Sequence, residues 1–205
     1  MTDVGSTGID VVGGGLQVVV ATRNPHKLEE LQRILAPLLP GIELLPDSGP
    51  EPVEDGDTFA ANALIKARAA HERTGLPALA DDSGIEVDAL GGAPGIHSAR
   101  YAGTRDDRDN LDLLLANVGD RADRGARFVC AAAWVDDEGE LTVRGEWPGS
   151  IADAPRGEGG FGYDPIFLPH DAAGRAAAEL SPAEKDALSH RRIAFTALAE
   201  RIRSH

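Results

Sequence analysis

Apolar and polar residues change their period several times along the chain, and each change predicts an element. Gln17-Val-Val-Val-Ala21 is a continuous β-branched run, the pattern of a strand buried on both faces. After Thr22-Arg-Asn-Pro-His-Lys27, the residues Leu28, Leu31, Leu35 and Leu38 recur at spacings of three and four, which predicts an amphipathic helix. Asn24 is a good N-cap for it and Pro25 suits its first position. Gly41 to Pro46 predicts a second short strand, and Pro46 to Asp57 an acidic loop rich in proline and glycine. Thr58 to Thr74 predicts a helix closed by Gly75. On it, Phe59, Ala63, Ala67 and Ala70 share one face, while Asn62 and Lys66, four apart, share another.

Leu76 to Ala80 reads as a short buried strand ending in Asp81-Asp82-Ser83-Gly84, and Ile85 to Ala89 alternates as a half-buried strand. Asn110 to Val118 predicts a helix with Leu111, Leu114, Leu115 and Val118 inward. Arg127 to Val135 and Glu140 to Trp147 predict two strands joined by the hairpin Asp136 to Gly139. Ser181-Pro-Ala-Glu184 is a capping box, and Ser189 caps a C-terminal helix whose inner side is read as Ile193, Ala197, Leu198 and Ile202. Residues 1–15 hold glycines and no sustained periodicity. They read as a flexible tail, with residues 16–205 as a single domain.

Net charge of −14 speaks against a nucleic-acid binder, which needs a basic face. No apolar run approaches the ~20 residues of a membrane span, and residues 1–15 lack a signal-peptide pattern. A single cysteine, Cys130, lies in an apolar run, so no disulfide forms within the chain and a reducing cytoplasm is expected. An acidic chain can still bind a polyanionic small molecule, given concentrated positive charge or a metal. The lysines are therefore informative: of twenty basic residues only Lys27, Lys66 and Lys185 are Lys. Lys is a compact point charge suited to phosphate.

Four stretches carry candidate chemistry. Asp81-Asp82, at the end of a buried strand, is costly to desolvate without positive charge nearby. Taken alone it reads either as a site for a hard divalent metal or as an acidic turn facing water. The strand–loop–helix start at Thr22 to Lys27 combines free backbone N–H groups with the Thr22 hydroxyl and Lys27, an anion site, or else a plain capped turn. Gly157-Glu-Gly-Gly-Phe-Gly162 matches G-x-G-x-x-G, but no helix is expected after it, so the dinucleotide reading is rejected. Glycine beside Phe161, Tyr163 and Asp164 instead suits a wall that a flat base approaches, or an ordinary turn before a strand. Lys185 and His190-Arg191 form a second positive cluster, and Arg100 reads as a phosphate contact, a partner contact or plain surface.

These stretches resemble the inosine/xanthosine triphosphate pyrophosphatase family from Val18 to about Ile202. The resemblance rests on Thr22-Arg-Asn-Pro-His-Lys27, Phe59-Ala-Ala-Asn-Ala-Leu-Ile-Lys-Ala67, Ala80-Asp-Asp-Ser-Gly84, Gly91-Gly-Ala-Pro-Gly-Ile-His-Ser-Ala-Arg-Tyr101, Gly159-Gly-Phe-Gly-Tyr-Asp-Pro165 and Ser189-His-Arg191. It implies an α/β fold with an elongated mixed β-sheet, flanking helices and a cleft between two lobes. It also implies a homodimer that hydrolyses dITP, ITP, XTP and dXTP to monophosphate and pyrophosphate with Mg²⁺. By position, Thr22, Arg23, Asn24, Pro25, His26 and Lys27 are implied to bind triphosphate, supported by Asn62 and Lys66. Asp82 is implied as general base and metal ligand, with Glu54 as second metal carboxylate, and Ser83 as a nucleotide contact. Phe161, Gly162, Tyr163 and Asp164 are implied to hold base and sugar, and Lys185, His190 and Arg191 to read the base edge and phosphate. Arg23 departs from the glycine common at its position. Two alternatives stay open: a pyrophosphatase acting on modified pyrimidine nucleotides, and a nucleotide-binding module without turnover.

Overall fold

The computed structural model describes residues 15–204. Apart from Gly15, the N-terminal tail reading falls outside the described residues. β1 (Leu16–Val20), α1 (Pro25–Leu38) and β2 (Ile42–Pro46) form a right-sized crossover unit, with β1 and β2 parallel from Leu16↔Ile42 to Val20↔Pro46. α2 (Phe59–Thr74) then delivers β3 (Ala78–Val87), which pairs parallel with β1 at Val19↔Ala78. α3 (Asp107–Val118), β4 (Gly125–Val135), β5 (Glu140–Ile151) and β6 (Phe167–Pro169) follow. α4 (Pro182–Leu188) and α5 (His190–Ile202) complete the chain. The six strands lie in the order β2-β1-β3-β4-β5-β6, parallel on the β2 side of β3 and antiparallel beyond it.

The caps explain the helix starts. Asn24 Oδ1 accepts from the N–H groups of His26 (3.0 Å) and Lys27 (3.3 Å), Thr58 caps α2, and Gly75 closes it at φ +67°. α3 begins before the expected Asn110 because Asp106 caps it, in a stretch with no apolar residue for periodicity to register. One serine, Ser189, ends α4 and caps α5.

Two further expectations change. Leu76–Ala80 and Ile85–Ala89 are not separate strands around an acidic turn. Asp81 to Gly84 continue β3, paired with β4 at Asp81↔Ala132, Asp82↔Ala131 and Ser83↔Cys130, and Asp88 instead starts a short 3₁₀ turn. The inner face of α5 is also rotated: His190, Arg191, Ala194, Phe195, Leu198 and Ala199 are buried, while Ile193 is 42 % exposed. Polar Arg191 takes an inward position because the buried carboxylates of Asp81 and Glu30 await it, and His190 because it stacks on Phe128, which a hydrophobic pattern cannot register.

The apolar core divides around β3. Leu31, Ile34, Leu35 and Phe195 pack α1 and α5 on one sheet face against Val18, Val20 and Leu79. Ala63, Ala67 and Ala70 bring α2 close to the other face at Ala78 and Ala80. Beyond Gly84, a second lobe gathers Ile85, Val87, Leu111, Leu114, Trp147 and Phe167. Fully burying each such large apolar side chain contributes roughly 1.5–3 kcal/mol. The turn Gly95–Arg100 lies hard against β3, and Gly84 permits it: a Cβ there would meet Ser98 Oγ at 2.4 Å. The cleft opens between the two lobes. Among the described residues no helix is long and apolar enough to cross a membrane.

Candidate active site

β3 forms the floor of the cleft and, as a strand must, turns Asp81 and Asp82 to opposite faces. Small partners on β4, Ala131 and Ala132, leave room for long cationic side chains around them.

On the α1/α5 face, Asp81 Oδ2 accepts from Lys27 Nζ (3.1 Å) and Arg191 Nε (3.3 Å). Burial alone would raise the Asp81 pKa, but Lys27, Arg191 and Lys66 outweigh it and hold the carboxyl far below the usual range. Arg191 Nη2 also donates to Ser83 Oγ (2.8 Å) and Nη1 to Glu30 Oε2 (2.8 Å). Among the described residues, the Oδ1 atom of Asp81 is buried without a hydrogen-bond partner.

On the α2 face, Asn62 Nδ2 donates to Asp82 Oδ2 (3.3 Å), and Lys66 Nζ lies 3.4 Å from both Asp82 Oδ1 and Glu54 Oε1. Asn62 Oδ1 accepts from Gly56 N (2.9 Å), which pins the acidic loop over the helix. Burial raises the Asp82 pKa, and the carboxylates of Glu54 and Asp81 add to it, against the pull of Lys66 and Lys27. Lys66 is itself raised: burial works against its charge, but Asp82, Asp81 and Glu54 together prevail. One lysine is shared among three acids, so it stays charged while Asp82 is incompletely compensated.

The far end of the cleft is built by the glycine loop. Gly160, at φ +72°, has no room for a Cβ because Asp164 Oδ2 would lie 2.0 Å from it. That oxygen accepts from Phe161 N (2.9 Å) and Lys185 Nζ (2.6 Å). Tyr163 donates its hydroxyl to Ser98 O (2.7 Å), and Gly162 N donates to Asp107 Oδ2 (2.7 Å). Lys185 Nζ sits 4.6 Å from the Phe161 ring centre and Arg191 5.4 Å, while His26 lies near-parallel to the same ring at 5.8 Å. His190 stacks on Phe128 at 4.9 Å. Burial, then Arg191 and Lys185, hold its imidazole well below the ordinary range, so it is neutral at pH 7.

These groups surround a cleft of about 630 Å³, the size range of small-molecule sites. Every residue singled out from the sequence lines it except Asn62, which lies behind Asp82. The free N–H groups expected at the start of α1 are partly taken, since Asn24 caps His26 and Lys27. Arg23 also lines the cleft, with its guanidinium donating to Gly49 O of the acidic loop. Arg100 lines the cleft as well. The sequence reading missed Glu30, Phe128 and the ion-pair role of Asp81. Glu30 had a weak signal: it lies four residues before Ile34 on the inward face of α1.

Among the described residues no three His, Cys, Asp or Glu side chains are grouped to cage a metal. The available donors are Asp82 and Glu54, both beside Lys66, while Asp81 lies on the other face of β3 with Lys27 and Arg191. That set fits a hard cation of the Mg²⁺ type, which takes one or two carboxylates and completes its shell with water and phosphate oxygens.

Comparison with known proteins follows the same stretch of chain. The dITP/XTP pyrophosphatase of Leifsonia xyli subsp. xyli is 55% identical over 195 residues, 92% of this chain and 96% of that protein. The dITP/XTP pyrophosphatase of Mycobacterium tuberculosis is 54% identical, covering 92% of this chain and 96% of its own length. A Ham1 protein structure from Coxiella burnetii superposes with a TM-score of 0.83 at 44% identity, covering 93% of this chain and all of that one (100%). The sequence pattern of the Ham1 family matches residues 18–201, from the middle of β1 nearly to the end of α5. Since that match takes in the sheet, the cleft and both walls together, the chain belongs to the Ham1 family.

Proposed function

We propose that this protein is a nucleoside-triphosphate pyrophosphatase that hydrolyses noncanonical purine nucleotides, dITP/ITP and XTP/dXTP, to the monophosphate and pyrophosphate. One observation carries the reading: Asp82, its carboxyl pKa raised, lies on the cleft floor, with Lys27 and Lys66 flanking β3 from its two faces and the Phe161–Asp164 and Lys185 wall at the other end. The relatives' names support the same activity.

In this reading Thr22 to Lys27 hold the triphosphate at the start of α1, with Lys66 beside them and Asn62 orienting Asp82. Asp82 takes the proton of a water whose oxygen attacks the α-phosphorus, and the bond to the bridging oxygen of the β-phosphate breaks. Lys27 and Lys66 offset the charge that develops on the phosphate oxygens. Asp82 and Glu54 hold Mg²⁺. When bound, that ion neutralises phosphate charge and adds Lewis-acid polarisation. Phe161 supplies a face for the base, Gly162 lets it approach, and Tyr163, Asp164 and Ser83 position base and sugar. Lys185, His190 and Arg191 face the base edge. Donors aimed at a 6-keto oxygen reject the 6-amino group of adenine, because they would be left unpaired. The same reading makes the protein a cytoplasmic homodimer.

The test is a panel of dITP, ITP, XTP, dATP and dGTP with Mg²⁺, following pyrophosphate against orthophosphate. Pyrophosphate release, fastest from dITP, ITP or XTP, is expected. Orthophosphate release, equal rates on dATP and dITP, or binding without product would sink the reading. Turnover confined to modified pyrimidine nucleotides would replace the substrate class.

A further inference from the structure

Glu30 is a buried carboxylate that none of the chemistry above uses. It does not line the cleft, yet its side chain is only 8 % exposed. Its two oxygens serve different partners: Oε1 accepts from Lys185 Nζ at 3.0 Å, and Oε2 from Arg191 Nη1 at 2.8 Å. Burial works against the charge of Glu30, but Arg191 and Lys185 prevail and hold its pKa below the ordinary value.

The contacts continue in both directions. Lys185 Nζ donates to Asp164 Oδ2 at 2.6 Å, beside Phe161. Arg191 Nε donates to Asp81 Oδ2 at 3.3 Å, and the same oxygen accepts from Lys27 Nζ at 3.1 Å. Asp164, Lys185, Glu30, Arg191, Asp81 and Lys27 therefore form an unbroken row of alternating charges. It runs from the end of the cleft assigned to the base to the end assigned to phosphate. Solvent screens such a row weakly, so each of the four inner charges is placed by its two neighbours. Lys185 has three donors, and an acceptor on a bound base competes with Glu30 and Asp164 for them. Any change in that competition alters how firmly Glu30 holds Arg191, and with it the Asp81–Lys27 pair.

We propose that Glu30 is a positioning residue that couples base recognition at Lys185 to the triphosphate end of the cleft through Arg191, Asp81 and Lys27. The inference rests on the assignment of the two ends made under the proposed function. It assigns Glu30 no contact with substrate.

Inorganic tripolyphosphate has no base, so it isolates the phosphate end. Its affinity, with Mg²⁺ present, is measured by calorimetry in four proteins: the native chain, Lys185→Met, Glu30→Gln and the double variant. If the row transmits, Lys185→Met weakens tripolyphosphate about fivefold in the native background. In the Glu30→Gln background the same change shifts affinity less than about twofold, the ordinary scatter of additivity. Equal effects in both backgrounds, or none in either, would overturn the coupling. A merely structural role for Glu30 predicts equal effects, with lower thermal stability as the only trace. Should Glu30→Gln fail to unfold cooperatively, a cycle of Lys185→Met with Lys27→Met takes its place. Those two side chains lie at opposite ends of the row, so additive effects on tripolyphosphate affinity would overturn the proposal and non-additive ones support it. The experiment reads binding alone. A protein with no pyrophosphate release from dITP, ITP or XTP would lose its proposed activity while the cycle remained readable.

Discussion

Asp81 and Asp82 are neighbours on one strand, with the same side chain and nearly the same burial, 2 % and 8 % exposed. The two faces of β3 nevertheless treat them in opposite ways. On the α1/α5 face Asp81 meets two cations, Lys27 and an Arg191 that it shares with Glu30, and its proton is held far more weakly than in a free carboxyl. On the α2 face Asp82 shares Lys66 with Glu54, and burial pushes its pKa up. The cations decide the outcome, since desolvation acts on both in the same sense. A carboxylate fully matched by buried cations is a fixed counter-charge. One that is under-compensated and open to the cleft can accept a proton during reaction.

The largest effect that could break this comparison is catalytic. Asp82→Asn is expected to lower kcat by about 10²- to 10⁴-fold, the usual contribution of a general base, while calorimetry still detects nucleotide binding. Near-native turnover in that variant would remove Asp82 from its role. Next in size is stability. Asp81→Asn leaves Lys27 and Arg191 buried with one carboxylate fewer, and urea unfolding at pH 7 is expected to show a loss of about 3 kcal/mol.

The smallest effect is the most diagnostic, because the two faces predict opposite signs with pH. A folded-state pKa below the ordinary carboxyl value of 3.8 means that Asp81 stabilises above that pH and loses its contribution as acid is added below it. The deficit of Asp81→Asn against the native chain should therefore shrink below pH 3.8. A folded-state pKa above 3.8 means that ionised Asp82 costs stability, absent in acid and complete once the pH exceeds the raised value. Asp82→Asn should thus be slightly more stable than the native chain at pH 7 and lose that advantage in acid. Parallel pH curves for the two variants would erase the distinction between the faces.

How much of this was legible in the chain differs from element to element. Where a signal is local, it survived folding: the β-branched run of β1, the Asn24-Pro25 start of α1, the Thr58 and Gly75 limits of α2, and the serine cap shared by α4 and α5. The motifs also hold most of the cleft residues, because polar residues clustered against the hydrophobic period mark chemistry. Non-local arrangements were illegible. Asp81 to Gly84 look like a turn by composition, and only the pairing with Ala131 and Ala132 on β4 makes them strand. Ile193 fits an apolar stripe, but α5 is turned so that Arg191 meets Asp81 and Glu30.

The amino-acid sequence by itself thus determined where the capped helices α1, α2, α4 and α5 begin, which residues carry charge, and that two carboxylates, three lysines and a glycine–aromatic segment belong to one chemistry. Only the tertiary structure decided which aspartate receives which cation, and that Glu30 joins Lys185 to Arg191. The physical reason is range. Caps and periodicity act over a few residues, whereas the charge state of a buried carboxylate depends on groups 54 and 110 positions away in the chain.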